Sequence, residues 1–260
     1  MLIAVASAKG SPGVTTAVTA LGMVWPTDVL VADCDPAGGD IAVLHRDRSG
    51  APLDPERGLL SLAAAARRGL DEQEIRQHVQ SLDGGLDVLA GVANPDQVTA
   101  IGPVWPTVAA GLRDAAGVDV LVDCGRVTPG TPVLTVLTAA DAVVLCVRPS
   151  VEAYAHLRER LRWLAGPLRM GQVGRVPVGV LMISAAKDGR AVEDLQRLLE
   201  HDGLPVPVIG QLADDAKAAA ILSGRRSGRL QNTLLVRSAR ELSAGLIGLG
   251  RDRPVESAMG

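Results

Sequence analysis

Short apolar runs alternate with longer amphipathic stretches along the whole chain. Several of these runs have the length and the Val, Ile and Leu content of buried strands. They cover residues 2–6, 29–32, 85–92, 118–125, 140–150, 176–184 and 205–215. Strands that alternate with helices in this way predict an α/β fold, namely a doubly wound, mostly parallel sheet that is flanked by helices.

The amphipathic stretches between the strands predict the helices that cover the sheet. They start at residue 16 and continue over residues 58–69, 71–82, 103–117, 151–166, 191–201 and about 233–249. No repeat, low-complexity block or linker interrupts the alternation, so we predict one domain over residues 1–250. The polar residues 251–260 then form a tail that we expect to be disordered.

The composition supports a large core that is almost free of aromatic residues. Of the 260 residues, 47% are hydrophobic, but Phe is absent and Tyr occurs once. Ala, Val and Leu must therefore fill the core, which suits a parallel sheet covered by helices. Cys34, Cys124 and Cys146 lie in apolar runs, at spacings that fit neither a zinc site nor a disulfide framework. We interpret them as small buried hydrophobic residues.

Charge and hydropathy narrow the classes of partner. A net charge of −3 gives no general attraction to nucleic acid or to an anionic membrane. No apolar run reaches the roughly 18 residues of a membrane span, and the chain shows no signal-peptide pattern. We therefore expect a cytoplasmic protein without a transmembrane segment.

Residues 7–16, SAKGSPGVTT, join the first predicted strand to the first predicted helix. In phosphate-binding loops of this kind, backbone N–H groups and the positive end of the helix hold phosphate. Aligned with the pattern G-x-x-x-x-G-K-[ST], the stretch keeps the second glycine as Gly13 and the hydroxyl as Thr15. Val14 stands where the pattern has lysine. A plain glycine turn after a strand is the alternative interpretation.

The stretch resembles the deviant Walker A loop of the MinD/ParA family of P-loop ATPases, which is written K-G-G-x-G-K-[ST]-[ST]. That loop carries an additional early lysine, which Lys9 matches, and two hydroxyl residues, which Thr15 and Thr16 match. Lysine is rare in this chain, since Lys187 and Lys217 are the only others. A lysine at this position is therefore informative.

Acidic residues follow two of the predicted strands. Asp33 and Asp35 end the strand of residues 29–32, and Asp123 lies at the end of residues 118–125. Ligands of open parallel sheets bind outside the carboxyl ends of the strands, where acids can hold Mg²⁺ or orient a water molecule. The D-x-D-P segment resembles ParA-like proteins, and the continuation GGDIAVL resembles the Tad/Cpa pilus-assembly branch. An acid pair that only caps a turn is the alternative.

The resemblance implies an ATP and Mg²⁺ site in a homodimer that sandwiches nucleotide between its subunits. Lys9 would reach the partner's nucleotide, Asp35 would orient water, and Thr15, Asp33 and Asp123 would hold Mg²⁺. The other implied nucleotide-binding residues are Gly10, Ser11, Pro12, Gly13, Val14 and Thr16 in the loop, with Ser184 and Asp214 near the base.

These features favour a MinD/ParA-like positioning or assembly factor of the pilus, secretion or cell-pole type. Because the lysine at position 14 is missing, we expect weak ATP binding and slow or absent hydrolysis. Its partner would then be a protein of a membrane-associated or polar assembly, which would hold the chain at the inner membrane. An active ATPase in which Lys9 suffices is the alternative.

Two further classes share this type of loop. A partition protein would bind DNA through the terminal basic cluster, Arg225, Arg226, Arg229, Arg237 and Arg240. That cluster has no interleaved aromatic residue and is more typical of a solvated face, so we do not expect DNA as a partner. A nitrogenase-reductase-like electron carrier would need paired cysteines from each subunit, and no suitable second cysteine accompanies Cys124.

Overall fold

A computed structural model describes residues 1–10, 12–70, 72–185 and 190–253. Within these residues the strands are β1 (Leu2–Ser7), β2 (Val29–Asp33), β3 (Gln80–Ser81), β4 (Asp87–Leu89), β5 (Asp119–Arg126), β6 (Ala142–Val147), β7 (Val178–Ser184) and β8 (Val208–Ala213). They form one sheet in the order β3-β4-β2-β5-β1-β6-β7-β8. All neighbours are parallel except β3 and β4.

Helices connect the strands and cover both faces of the sheet. They are α1 (Val14–Val24), α2 (Ile41–Leu44), α3 (Leu59–Ala66), α4 (Glu72–His78), α5 (Pro95–Ile101), α6 (Trp105–Arg113), α7 (Leu134–Ala139), α8 (Val151–Leu164), α9 (Ala191–His201), α10 (Ala216–Leu222) and α11 (Leu234–Arg251). A short 3₁₀ turn, Gly102–Val104, precedes α6. The predicted doubly wound α/β fold is confirmed.

The strands are buried on both faces because successive side chains point to opposite sides of the sheet. In β1, Leu2, Ala4 and Ala6 belong to the core under α3–α9, whereas Ile3 and Val5 belong to the core under α1, α10 and α11. All five are fully buried. This explains why the strands read as continuous apolar runs rather than as alternating patterns.

The order of the strands places β1 in the middle of the sheet, between β5 and β6. The carboxyl end of β1 therefore lies beside the carboxyl ends of both neighbours. Ser7, the last residue of β1, pairs with Arg126 of β5 and with Cys146 of β6. Any loop that follows β1 is consequently surrounded by the loops that follow β5 and β6, at the edge where parallel sheets bind ligands.

One predicted helix is wrong in its last third. The helix expected over residues 71–82 ends at His78, and Gln80–Ser81 pairs antiparallel with β4 instead. The pairing of Gln80 with Val88 and of Ser81 with Asp87 gives the backbone of this segment partners at the edge of the sheet. The gain from completing the sheet outweighs the weak helical preference of a few residues.

Several short helices escaped the sequence analysis, namely α2, α5, α7 and α10. Two of them carry clear N-caps: Asn94 accepts a hydrogen bond from the Gln97 N–H at 3.2 Å, and Asp215 accepts one from the Ala218 N–H at 2.9 Å. An Asn or Asp at such a position can be recognised in the sequence as the start of a helix. The helices themselves are too short for an apolar periodicity to stand out.

The extent of the domain stays a prediction, although every strand of the described residues belongs to one sheet. At the end of the chain, Arg251 is the last residue of α11, and the Arg253 guanidinium donates to the Ala139 carbonyl at 2.7 Å. The rest of the predicted tail, residues 254–260, lies outside the described residues. No helix of the described part is long and apolar enough to cross a membrane.

A glycine sets the distance between α1 and the sheet. A Cβ atom on Gly22 would lie 2.7 Å from a methyl group of Val31 and 3.1 Å from one of Leu86. We expect Gly22→Leu to overpack this contact and to lower the free energy of unfolding by about 1–3 kcal/mol in urea titrations. Gly248→Leu is the matched control, because Gly248 is also helical but has nothing within 4 Å of its Cβ position. Equal stability of the two variants would contradict this account.

Candidate functional site

The loop between β1 and α1 has the backbone of an anion-binding turn. Gly10 and Gly13 adopt φ values of 70° and 111°, in the left-handed region that favours glycine. Gly13 is the N-cap of the 11-residue helix α1, and among the described residues no side chain caps this helix and no acid lies in its first turn. The first N–H groups of α1 are thus available to an anion.

A hydrogen bond ties the start of α1 to the end of β5. The Thr15 hydroxyl donates to Asp123 Oδ2 at 2.6 Å, and the Gly125 N–H donates to Asp123 Oδ1 at 2.9 Å. Asp123 itself has no exposed surface. Burial raises the pKa of Asp123 to about 6, while the hydrogen bonds from Thr15 and Gly125 act in the opposite direction.

The loop opens into a cavity of about 460 Å³, which is within the size range of small-molecule sites. Its walls come from three places: the loop and α1, the segment after β2, and the ends of β5 and α10. The residues concerned are Ser7, Gly10, Gly13, Val14, Thr15, Thr16, Thr19, Asp35, Ala37, Asp40, Leu44, His45, Gly125, Arg126, Ala219, Leu222, Ser223 and Arg225. The structure thus brings most of the predicted phosphate residues together with Asp35.

Val14 lies at the boundary between this cavity and the core. It is 6% exposed and belongs to the apolar cluster under α1, but it also lines the cavity. The side chain at position 14 therefore contributes packing, and it brings no charge to the loop. A longer side chain at this position could follow the apolar wall and place its end in the cavity.

The other loop residues have different surroundings. Lys9 is exposed and, unlike the loop residues from Gly13 to Thr16, it is not among the residues that line the cavity. Pro12 is buried, and Ser11 lies outside the described residues. Because Lys9 lies outside the cavity and faces solvent, its side chain can contact another molecule.

Asp35 faces the cavity at the end of β2. Its carboxylate accepts the Ala37 N–H at 2.8 Å and packs directly against Gly125, where a Cβ atom would collide with it. Burial raises the pKa of Asp35, and the positive charge of Arg126 opposes that change. The position agrees with a group that orients a water molecule beside the phosphate cradle, which stays a prediction.

Asp33 has a more enclosed position than Asp35. It is fully buried, and it accepts the Ile41 N–H at 3.2 Å and the Asp35 N–H at 3.3 Å. Cβ atoms on Gly39 and Gly91 would lie 2.5 Å and 2.7 Å from its carboxyl group. Burial and the nearby Asp123 raise its pKa to about 7. These contacts favour a structural role for Asp33, which fixes the turn after β2, over direct contact with a metal ion.

The two residues predicted near the base lie at the carboxyl ends of β7 and β8. Ser184 is 3% exposed, and its hydroxyl has no hydrogen-bond partner among the described residues. Asp214 forms an ion pair with Arg148, which follows β6. Neither Ser184 nor Asp214 lines the cavity. The neighbouring Asp215 caps α10, which gives that acid a structural role.

Two arginines and an acid of the cavity wall belong to none of the motifs that predict the site. Arg126 follows the strand-end acid of β5 by three positions, and Asp40 follows the glycine pair after β2. The composition around Arg225 predicts a solvated basic face, but Arg225 lines the cavity. Arg126 could have been found from its position after β5, whereas only the path of the chain after α10 reveals Arg225.

No protein-family model and no curated protein matches the sequence. Solved structures do match. The ParA family ATPase from Chlorobium tepidum TLS is 16% identical with a TM-score of 0.71, covering 94% of this chain and 97% of that one. The cell division ATPase MinD from Pyrococcus furiosus is 16% identical with a TM-score of 0.71, covering 95% and 98%. The septum site-determining protein MinD from Pyrococcus horikoshii, complexed with Mg-ADP, is 15% identical with a TM-score of 0.65, covering 93% of each chain.

The chain has the MinD/ParA fold. Both chains are covered almost completely, so the likeness extends over the whole sheet and its helices. At these identities the comparison establishes the fold, and the chemistry must be argued from the residues of the site.

On this MinD/ParA fold, the oxygen atoms that the protein offers at the site fit Mg²⁺ only together with a phosphate ligand. Among the described residues, no group of three or more His, Cys, Asp or Glu side chains is arranged to hold a metal ion. The oxygen atoms of Thr15 and Asp123 lie together at the start of α1. Mg²⁺ usually takes one or two protein oxygen atoms and completes its shell with water and phosphate, so the Thr15 hydroxyl, which lines the cavity, suits it. The buried Asp123 carboxylate holds that hydroxyl by a hydrogen bond, and its direct contact with a metal ion stays a prediction.

The Thr15 hydroxyl can be removed without changing the shape of the side chain. We expect Thr15→Val to leave the buried Asp123 carboxylate with one donor fewer, which lowers the free energy of unfolding by about 1–3 kcal/mol. We also expect it to abolish the dependence of nucleotide affinity on Mg²⁺ in calorimetry. Thr15→Ser is the matched control and should retain both properties. A Thr15→Val protein with unchanged stability and unchanged Mg²⁺ dependence would show that this hydrogen bond has neither role.

Proposed function

We propose that the chain is a MinD/ParA-like nucleotide-binding factor that positions or assembles other proteins at a pilus, secretion or cell-pole site. Its ATP binding is weak, and its hydrolysis is slow or absent. The observation that carries the proposal is the composition of one cavity. The loop glycines and Thr15, which is hydrogen-bonded to Asp123, line this cavity, whereas Val14 stands in the place of the lysine of the loop pattern.

Nucleotide binding is supported by the backbone. The uncapped first turn of α1, the glycine turn and the cavity of about 460 Å³ depend on no lysine side chain. These groups can hold phosphate by hydrogen bonds and by the partial positive charge of the helix end. Among proteins with this fold, the MinD from P. horikoshii is complexed with Mg-ADP, and a putative plasmid partition protein from Borrelia burgdorferi is bound to AMPPNP.

Weak binding follows from the side chain at position 14. The lysine of a phosphate-binding loop bridges the β- and γ-phosphates and meets charge that develops during transfer. One charge-assisted hydrogen bond contributes about 1.5–3 kcal/mol, so its absence weakens binding by about 10- to 150-fold. Hydrolysis loses at least as much, because the same charge stabilises the transition state.

Restoring the charge at position 14 tests both the weak ATP binding and the slow or absent hydrolysis. We expect Val14→Lys to tighten ATP binding by about 10-fold or more in calorimetry. Phosphate release should become measurable, and Asp35→Ala in the same background should remove it. Val14→Met is the matched control, since it gives an unbranched side chain of similar length without charge.

The outcomes separate three cases. Tighter binding without hydrolysis would show that the remaining residues no longer support turnover, and the protein would be a nucleotide-binding factor only. Fast hydrolysis by the unaltered chain would favour the alternative of an active ATPase that uses Lys9. ATP that binds neither protein would overturn the nucleotide site.

Self-association is the second element of the proposal. Lys9 is exposed and does not line the cavity of its own subunit, so it is placed to contact a second molecule. We expect ATP with Mg²⁺ to promote homodimers in light scattering, and we expect Lys9→Ala to lose that effect. Lys217→Ala is a control on another lysine. A protein that stays monomeric with ATP, or a Lys9→Ala variant that dimerises normally, would remove this role.

A protein partner completes the proposed function. A cell-division MinD from Aquifex aeolicus has been solved in complex with MinC, at 17% identity and a TM-score of 0.65 to this chain. A nucleotide-dependent homodimer of the present chain would likewise present a surface that the monomer lacks. We propose that a component of a membrane-associated or polar assembly recognises that surface.

A further inference from the structure

The cavity that lacks a loop lysine contains two arginines from other parts of the chain. Arg126 lies at the end of β5, and Arg225 lies in the loop between α10 and α11. We propose that Arg126 and Arg225 bind the phosphate groups of the nucleotide and thereby supply part of the positive charge that the loop loses with the lysine at position 14. This inference rests on the proposed nucleotide site and names the residues that give it charge.

Arg126 is held beside the loop by strand pairing. Its Cα pairs with that of Ser7, the residue at which the loop begins, and the Val127 N–H donates to the Ser7 carbonyl at 3.0 Å. The preceding Gly125 has a φ of 56° and packs against the Asp35 carboxylate. Arg126 consequently enters the cavity next to the acid that we expect to orient water, and it acts on the pKa of that acid.

Arg225 reaches the cavity from the segment that follows α10. Its Nε donates to the Ser223 hydroxyl at 2.9 Å, and Ser223 also lines the cavity. The flanking backbone is fixed as well, because the Gly224 N–H donates to the Ile221 carbonyl at 3.0 Å and the Arg226 N–H donates to the Ala220 carbonyl at 2.9 Å. The tether uses only Nε, so the two terminal nitrogen atoms keep their donors for a ligand.

Neither guanidinium forms an ion pair with a carboxylate in the described residues, where the arginine ion pairs involve other arginines, although the charges of Arg126 and Asp35 interact. Arg148 shows the contrast: it lies at the same edge of the sheet, but it is paired with Asp214. Guanidinium groups bind phosphate through two parallel hydrogen bonds, which a single ammonium cannot do. Two such groups in one cavity suit a ligand that carries several phosphates.

The test measures the affinity of the full-length protein for ATP, ADP and AMP by calorimetry. We expect Arg126→Gln and Arg225→Gln each to weaken ATP binding by about 10-fold, because each removes one charge-assisted contact. The loss should be smaller for AMP, which has a single phosphate. Arg226→Gln is the matched control, since Arg226 is exposed like its neighbour Arg225 but does not line the cavity.

Two additional variants separate charge from structure. Arg225→Lys keeps a positive charge and should retain more ATP affinity than Arg225→Gln. Val14→Lys should tighten ATP binding by a larger factor in the Arg225→Gln background than in the unaltered chain, since the ammonium then replaces charge lost from the same cavity. A purely structural role of Arg225 would leave Arg225→Lys as weak as Arg225→Gln, and Val14→Lys would give the same gain in both backgrounds.

Different results would contradict the role of the two arginines and the nucleotide site itself. If the unaltered chain binds ATP and both glutamine variants bind it equally well, the nucleotide site stands and the arginines are not part of it. Equal losses for ATP and AMP, or an equal loss in Arg226→Gln, would also overturn the assignment. If the unaltered chain binds none of the three nucleotides, the proposed site and this inference both fail.

Discussion

The hydrogen bond between the Thr15 hydroxyl and Asp123 is the contact on which the site depends. It joins the first turn of α1 to the carboxyl end of β5, across the central part of the sheet. The carboxylate is removed from water, which is costly unless donors compensate for the lost hydration. Thr15 and the Gly125 N–H provide that compensation, so the geometry of the loop and the charge of Asp123 stabilise each other.

A second buried acid organises the neighbouring turn in the same manner. Asp33 sits beside Asp123 on the adjacent strand and is enclosed by the segment from Asp35 to Ile41 and by Gly91. Only glycine fits at positions 39 and 91 without a shift of the carboxyl group. Burying two acids side by side costs stability. Natural sequences usually accept such local costs at functional sites, which agrees with the place of this pair beneath the cavity.

The fold and the position of the glycine loop in it could be predicted because their signals are local. Apolar runs give the strands, and the spacing of Gly13, Thr15 and Asp123 relative to these strands gives the shared edge. The edge strand β3 could not be predicted, because a two-residue segment gains its structure from the partner β4 and from no pattern of its own. Likewise, Asp33 is buried because of residues that contact it in the folded chain. Its position at the end of a strand would be the same for an exposed acid.

The arginines of the cavity are a second case in which a sequence motif does not reveal residues that come together only in the fold. A motif records which residues lie next to each other in the chain, but a phosphate senses every charge around it. Arg225 lies more than two hundred residues beyond the loop in the sequence, yet it lines the same cavity as Val14. The absence of a lysine from the loop therefore does not by itself define a site without positive charge. The charge of the site also depends on the segments that surround the loop. In a doubly wound sheet, these are the segments that follow the neighbouring strands.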